Sequence, residues 1–197
     1  ILADNSNLWL ATTDGLVHYN GSKFNNHGIK VVNSYLRKVL KSPNDELFVI
    51  PRSTWNTSRS GIFRYDGFEF NVLKSSHLFN GVADLVFDES GGMFFNTSEY
   101  LIFSKDEYSQ SLSPKWSTNL NMTWITKIER SIDGTLMIGT WESGAWKYDM
   151  ESINTISDVD GIQAWINGTI VDNDNNLWVG TGGGGLYKIK DNKIIKK

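Results

Sequence analysis

The sequence predicts an all-β fold assembled from short antiparallel strands, and three observations lead to that prediction. A short apolar segment recurs five times, about every 42 residues, and a second segment follows each copy, usually beginning with Gly. Clusters of Asn, Asp, Ser and Gly separate the segments and favour tight turns. Further apolar segments bring the count to four strands per repeat. Four-stranded antiparallel units with this period are typical of the blades of a β-propeller.

The first apolar segment of each repeat has a large residue at its centre. These segments are residues 7–12, 46–51, 92–97, 135–140 and 176–181. Because the large residue recurs at one repeat position, we expect it to pack between neighbouring blades. The five central residues are Trp9, Phe48, Phe94, Met137 and Trp178. The repeats span residues 1–197, which we interpret as one propeller domain or part of one.

The innermost strand of each blade is predicted from the register of the repeats. Residues 35–41 have a helical apolar pattern, but they occupy the position that residues 82–87 and 125–128 occupy in later repeats. We therefore predict a strand there. By the same register, residues 1–3 form the end of the first innermost strand, and residues 191–197 supply the outermost strand of the fifth blade.

Composition and charge exclude several classes of function. The chain has 197 residues, a formal net charge of -3 and no Cys. The balanced charge argues against a nucleic-acid partner, and the absence of Cys excludes disulfides and thiolate metal sites. The sequence contains no apolar run long enough for a membrane-spanning helix. His18, His27 and His77 show no metal-ligand spacing, so no metal or cofactor is predicted, and we expect His18 in solvent.

One repeat carries a recognisable signature. Residues 172–181 read Asp-Asn-Asp-Asn-Asn-Leu-Trp-Val-Gly-Thr and are followed by Gly184-Gly-Leu-Tyr187, a pattern that resembles the two-component regulator propeller repeat. Residues 133–140 with 144–148 are nearly as similar. Residues 7–12 are a weaker copy. In the remaining two copies Phe replaces the Trp.

The resemblance implies the periplasmic sensor region of a bacterial, often hybrid, two-component sensor histidine kinase. Such propellers detect carbohydrate and regulate polysaccharide-utilisation genes. They are usually seven-bladed, so about five repeats predict a fragment of a larger propeller. The implied partners are an oligosaccharide and other modules of the same receptor chain. The oligosaccharide could be acidic, and a homodimer is a further candidate.

Candidate ligand residues lie where the loops would surround the central channel. Aromatic residues at the entry to the innermost strands suit the apolar faces of sugar rings, although stapling adjacent blades together is an equally good interpretation. These residues are Tyr35, Trp124 and Trp165. Two further tryptophans, Trp55 and Trp141, lie on loops outside the repeat register.

Charged residues near the same loops extend the predicted site. Three basic residues on innermost strands and two on the longest loop would make the mouth basic and favour an acidic saccharide. They are Arg37, Lys38 and Lys127, with Arg52 and Arg59. The loop carboxylate Glu142 is the remaining candidate ligand residue.

Two other functions stay open at this point. One is a protein-interaction scaffold. The other is a glycosidase or lyase, which needs paired carboxylates across the scissile bond. The innermost strands offer only Asp84 as a clear channel carboxylate, with Glu99 and Glu142 on loops. Because no pair is indicated, we predict that the chain is not an enzyme.

Overall fold

A computed structural model describes residues 1–27, 35–52, 61–73, 82–96, 101–104, 125–141, 143–156, 165–191 and 193–196. Within these residues every regular element is a β-strand, and the strands form five separate antiparallel sheets. Each sheet is a meander of consecutive strands, as expected for propeller blades. Among the described residues, no helix is long and apolar enough to cross a bilayer.

The strands of the first two blades are β1 (Leu2–Asp4), β2 (Asn7–Thr12), β3 (Gly15–Tyr19), β4 (Phe24–Asn26), β5 (Leu36–Lys41), β6 (Leu47–Pro51), β7 (Phe63–Tyr65) and β8 (Phe70–Val72). Blade three has three strands in the described part of the chain: β9 (Leu85–Phe87), β10 (Met93–Asn96) and β11 (Leu101–Ser104). The strands of blades four and five are β12 (Ile125–Arg130), β13 (Leu136–Thr140), β14 (Ala145–Tyr148), β15 (Ile153–Thr155), β16 (Ile166–Val171), β17 (Leu177–Thr181), β18 (Leu186–Lys190) and β19 (Lys193–Lys196).

The predicted fold class is confirmed. The segment with the helical apolar pattern forms the strand β5, which pairs with β6. The first innermost strand is the short β1, paired with β2, and the outermost strand of blade five is β19, paired with β18.

The turn between the first two strands of a blade is set by its residue types. In blades three and five, an aspartate carboxylate accepts backbone N–H bonds across the turn: Gly92 N lies 2.7 Å from Asp88 Oδ1, and Asn176 N lies 2.8 Å from Asp172 Oδ1. The residue two positions before the second strand has a positive φ, which suits Gly, Asn and Asp. It is Asn5, Asp45, Gly91, Gly134 or Asn175 in the five blades.

Side chains of the second strand alternate between two neighbours. In β6, Phe48 and Ile50 join a buried cluster with residues of blade three, whereas Val49 packs in a cluster with Leu16 of blade one. We call the face directed at the next blade in the chain the forward face. Buried clusters of this kind join blades one and two, two and three, three and four, and four and five.

The central residues of the repeats lie on the forward faces. The prediction that they pack between blades is confirmed for four of them, which contact the clusters formed with the following blade: Trp9, Phe48, Phe94 and Met137. Trp178 differs, because within the described residues no cluster joins blade five to a following blade. Its indole Nε1 instead donates to Asp172 Oδ2 at 2.8 Å.

The position two residues after each central residue closes the junction with the next blade. Ala11 and Ile50 do so with apolar side chains. Asn96 donates from Nδ2 to the carbonyl of Ile125 at 3.0 Å. Gly139 has no side chain, and a Cβ built there would lie 2.6 Å from Ile166 Cγ2. This position therefore adapts to whatever the next innermost strand presents.

Candidate ligand site at the channel mouth

The start of each innermost strand and the end of its neighbour meet at one edge of the blade. In blade two, Arg52 N donates to the carbonyl of Tyr35 at 2.6 Å, and in blade five Gly182 N donates to that of Trp165 at 2.8 Å. These bonds extend each ladder by one step beyond the assigned strands. Tyr35 and Trp165 thus occupy equivalent positions at the channel mouth, with 53% and 49% of their surfaces exposed.

Two of the predicted aromatic residues come together at this mouth. Trp141 follows β13 and stacks on Trp165, which precedes β16, with ring centroids 4.4 Å apart and an interplanar angle of 16°. Gly182 supports the pair, because a Cβ there would lie 3.2 Å from Trp165 Cε3. The stacked pair joins blade four to blade five. It also leaves half of the surface of Trp165 in solvent.

Thr126 connects this aromatic pair to blade two. Its Oγ1 lies 2.8 Å from the carbonyl oxygen of Ile166 and 3.2 Å from that of Gly139. The hydroxyl therefore ties β12 to the start of β16, next to Trp165. The carbonyl oxygen of Thr126 accepts a long hydrogen bond, at 3.4 Å, from Arg37 Nη2. Thr126 thus connects the Arg37 guanidinium to the start of β16, the strand that follows Trp165.

Arg37 and Arg52 form the cationic side of the mouth. Both side chains are exposed, and within the described part of the chain neither forms an ion pair with a carboxylate. Burial lowers the pKa of Arg37, the negative charge of Asp84 raises it, and the neighbouring Arg52 lowers it further. Arg52 is bonded through its backbone to Tyr35, two residues before Arg37, so the two arginines lie near each other at the mouth.

An ion cluster lies beside Arg37 on the innermost strands. Lys38, Asp84 and Lys127 occupy one register position in blades two, three and four. The Asp84 carboxylate is 1% exposed and contacts Lys38 Nζ, while Lys127 Nζ lies 3.0 Å from Asp84 Oδ2. Leu85 N at 2.9 Å and Ile128 N at 3.0 Å also donate to it. One aspartate of blade three thus holds the innermost strands of both neighbours.

This cluster bears on two residues singled out in the sequence, the predicted ligand residue Lys127 and the channel carboxylate Asp84. Lys127, a predicted ligand residue, has its ammonium group paired with Asp84. Asp84 itself, the channel carboxylate of the enzyme alternative, accepts two donors on each oxygen. A carboxylate has about four acceptor positions, so none is left for a substrate.

A second carboxylate, that of Glu129, lies near Lys127 and Lys38. Burial raises the pKa of Glu129, while the positive charges of Lys127 and Lys38 lower it. Burial also lowers the pKa of Lys38, against the attraction of Asp84. Among the described residues, the cations at the mouth are Arg37, Lys38, Arg52 and Lys127, and the carboxylates are Asp84 and Glu129. The described part of the mouth therefore carries more positive than negative charge, although the whole chain has a net charge of -3.

The other predicted site residues lie outside the described part of the chain. They are Trp55, Arg59, Trp124 and Glu142. Of the predicted set, the structure brings together Trp141 with Trp165, and Arg37 with Tyr35 and Arg52.

Sequence reasoning missed two polar residues at the mouth, Asn96 and Thr126. Asn96 Oδ1 accepts from the backbone N of Asp84 at 2.8 Å, and Asn96 Nδ2 donates to the carbonyl of Ile125. The amide therefore fixes the backbone of the aspartate. The signal for Asn96 was an amide at a repeat position held elsewhere by Ala, Ile or Gly. Thr126 gave no signal, because it lies at a bulge in the pairing of β12 with β13.

The expectation that His18 lies in solvent is wrong. Its ring is partly buried and stacks on Trp9 with centroids 4.2 Å apart. His27 lies beside it, with Nδ1 2.7 Å from the hydroxyl of Tyr65. Because that hydroxyl donates to the carbonyl of Gly67 at 2.8 Å, it accepts from His27. Burial and the nearby His18 lower the pKa of His27.

Solved structures with the same fold include three informative ones. An extracellular domain described as that of a hybrid two component system of B. thetaiotaomicron has 19% identity and a TM-score of 0.69, over 92% of this chain and 25% of its own. A second B. thetaiotaomicron extracellular domain, described as that of a one component system, has 20% identity and a TM-score of 0.67, with the same coverage. Virginiamycin B lyase from Staphylococcus aureus has 12% identity and a TM-score of 0.70, over 96% of this chain and 68% of its own.

These similarities establish the propeller fold and agree with the repeat signature in the sequence. The chain spans 25% of the length of the B. thetaiotaomicron domains it matches. No protein-family profile and no curated protein sequence matches the chain.

Proposed function

We propose that this chain is a non-catalytic, ligand-binding part of the extracytoplasmic sensor region of a two-component receptor, and that it captures an oligosaccharide at the channel mouth. The observation that carries the proposal is the stacked pair of Trp141 and Trp165, in which about half of the surface of Trp165 is exposed. The repeat signature and the fold shared with extracellular domains of B. thetaiotaomicron signalling proteins support the sensor role.

The chemistry of the mouth suits a sugar. Flat aromatic rings cover the apolar C–H face of a pyranose and lose little side-chain entropy on binding. Polar groups lie at the same mouth: Arg37 bonds Thr126, whose hydroxyl bonds the residue after Trp165. The guanidinium groups of Arg37 and Arg52 are hydrogen-bond donors for hydroxyl oxygens. A partly apolar surface with a few converging polar groups is the usual composition of a small-ligand site.

The state of Asp84 supports a non-catalytic role. Its oxygens are filled by two ammonium groups and two backbone N–H groups, so it has no acceptor position for a proton from a substrate. A lyase is among the proteins that share the fold, but a shared fold does not transfer chemistry.

Intrinsic fluorescence tests the proposal directly. We expect titration with a panel of neutral and acidic oligosaccharides to give a saturable change in tryptophan emission with one class. Trp165→Ala should abolish it and Trp165→Phe should retain part of it. The control is Trp178→Phe, on the forward face of blade five, which should bind normally. A thermal melt of each variant separates binding from packing, because a residue that only joins the blades would change the melt and leave affinity intact.

For the whole receptor we propose a periplasmic location and control of polysaccharide-utilisation genes. Other modules of the receptor would read out the ligand, which requires that two states of the receptor differ in ligand affinity. Deleting the receptor gene should abolish induction of those genes by the oligosaccharide that binds the purified chain. Unchanged induction would remove this part of the proposal.

A protein-interaction scaffold is the second candidate, and one observation favours it. The forward face of blade five exposes Ile170 and Leu186, with 62% and 54% of their surfaces accessible. The other four forward faces are covered by a blade of the same repeat, so the complementary partner is another blade of this type. Sedimentation of the purified chain over a range of concentrations separates the two functions, because a scaffold would associate through this face without any glycan.

A further inference from the structure

Of the four cations at the channel mouth, two pair with a carboxylate and two do not, within the described residues. Lys38 and Lys127 share the carboxylate of Asp84, which lies between them. Arg37 and Arg52 lie on the solvent side, and in the described part of the chain neither has a carboxylate partner. One carboxylate thus pairs with both inner cations, whereas the outer pair has no counter-ion among the described residues.

Two features keep the outer pair in place. The backbone of Arg52 is bonded to Tyr35 at 2.6 Å, which fixes the end of β6 beside the start of β5. The Arg37 guanidinium reaches blade four, where Nη2 lies 3.4 Å from the carbonyl oxygen of Thr126. Like charges held side by side at a surface raise the local potential and attract an anion.

We infer that the mouth binds the carboxylate of an acidic saccharide between Arg37 and Arg52, while a ring of the same saccharide lies on Trp165. This inference rests on the proposed function and specifies its ligand as a uronic-acid-containing oligosaccharide. A guanidinium presents a planar fork of donors that matches the two oxygens of a carboxylate.

Thr126 gives the geometric reason for one ligand to use both sides. It accepts from Arg37 through its carbonyl, and its hydroxyl bonds the carbonyl of Ile166, the residue after Trp165. The cationic and aromatic sides therefore adjoin the same residue of β12. Neighbouring rings of an oligosaccharide can contact different groups, so the carboxylate and the stacked ring need not belong to one sugar unit.

The test compares acidic trisaccharides with their carboxyl-reduced counterparts. The probes are the trimers of galacturonate, mannuronate and glucuronate, each paired with the neutral trimer obtained by reducing its carboxyl groups. Binding is measured by calorimetry at low ionic strength. We expect at least one acidic trimer to bind about tenfold or more tighter than its reduced counterpart, since a charge-assisted hydrogen bond contributes roughly 1.5–3 kcal/mol.

Matched variants locate the carboxylate. Arg37→Gln and Arg52→Gln should each remove most of the preference for the acidic trimer, and the preference should fall with added salt. Lys23→Gln removes an exposed cation at the outer turn of blade one and should leave the preference intact. Thermal melts of the three variants verify that they are folded. Equal affinity for acidic and reduced trimers, or a preference that survives both arginine variants, would overturn the inference.

The outcomes separate this inference from the proposed function. Neutral and acidic trimers that bind equally, through Trp165, would leave the sensor proposal standing and refute the carboxylate site. Acidic trimers that bind through the arginines, with no effect of Trp165→Ala, would support the carboxylate site and refute the aromatic one. Failure of every trimer to bind to the folded chain counts against both.

Discussion

The junction between blades three and four and the junction between blades four and five solve one packing problem in opposite ways. Asn96 and Gly139 occupy the same repeat position and face the start of the next innermost strand. Asn96 fills the space with an amide that bonds Ile125, and it positions Asp84 as well. Gly139 leaves the space empty, so that Ile166 approaches the backbone directly.

The difference shows that the Gly of the repeat motif is needed at one junction and replaceable at another. Gly in the motif is a packing requirement where the next blade approaches closely, and it is dispensable where another side chain supplies hydrogen bonds. The copy with Asn96 belongs to the blade that also contributes Asp84 to the ion cluster. A polar residue at this position therefore marks a polar junction, whereas Ala11 and Ile50 replace the Gly and keep their junctions apolar.

The largest effect is expected at the polar junction. Asp84→Asn would leave Lys38 and Lys127 without their shared counter-ion and would direct an amide N–H₂ group at existing donors. We expect a loss of about 3 kcal/mol in the free energy of unfolding, measured in urea. Asp14→Asn, in an exposed turn, is the control. A loss under about 1 kcal/mol would mean that the cluster contributes little to the junction.

The apolar junction is tested by filling its empty position. Gly139→Ala places a methyl group against the buried, β-branched Ile166, and overpacking of this kind costs about 2 kcal/mol. Gly180→Ala changes the equivalent glycine of blade five, where a Cβ would lie 3.8 Å from the carbonyl oxygen of Gly168. That variant should unfold at the same urea concentration as the parent chain or slightly above it. Equal losses in the two variants would contradict the comparison.

A smaller effect is expected from the hydroxyl that ties blade four to blade five. Thr126→Val removes the bond to the carbonyl of Ile166 and should cost about 1 kcal/mol. Thr169→Val is the matched control, because the buried Oγ1 of Thr169 has no hydrogen-bond partner among the described residues. The control should be neutral or stabilising in the same urea titration. A destabilised control with an unchanged Thr126→Val would reverse the assignment.

The smallest effect concerns a turn of blade four outside both junctions. Hydrogen bonds from Ser131 and Thr135 lower the pKa of Asp133 from 3.8 to about 2. The stability from this ionised carboxylate is therefore present above pH 3.8 and is lost as the pH falls towards 2. Thermal melts between these pH values should show a shallower decline for Asp133→Asn than for the parent chain. Identical declines would show that the turn does not contribute.

The sequence was sufficient for the architecture because the repeat imposes it. The register placed β5 correctly against a helical apolar pattern, and it placed the end of the first innermost strand and the outer strand of blade five. It also put Tyr35 and Trp165 at equivalent entries. All of these positions follow from the spacing of the repeats along the chain, which can be read from a single sequence.

Contacts between blades could not be obtained in this way. The pairing of Lys127 with Asp84 joins residues of different repeats, and no period links them. The same holds for His18 and His27, which meet only because β3 and the end of β4 face Trp9 together. The sequence left Trp165 open as a blade staple or as a ligand residue; its stacking on Trp141 joins blades four and five, and the ligand role stays a proposal.

The alternation of side chains along the second strands has an energetic consequence for the whole chain. A blade with buried clusters on both faces is a link in a nearest-neighbour chain, so releasing it disrupts two interfaces. Blades two, three and four have such clusters on both faces. Opening their central strands is therefore costly, and amide protons of β6, β10 and β13 should exchange with deuterium later than those of the more exposed outer strand β4.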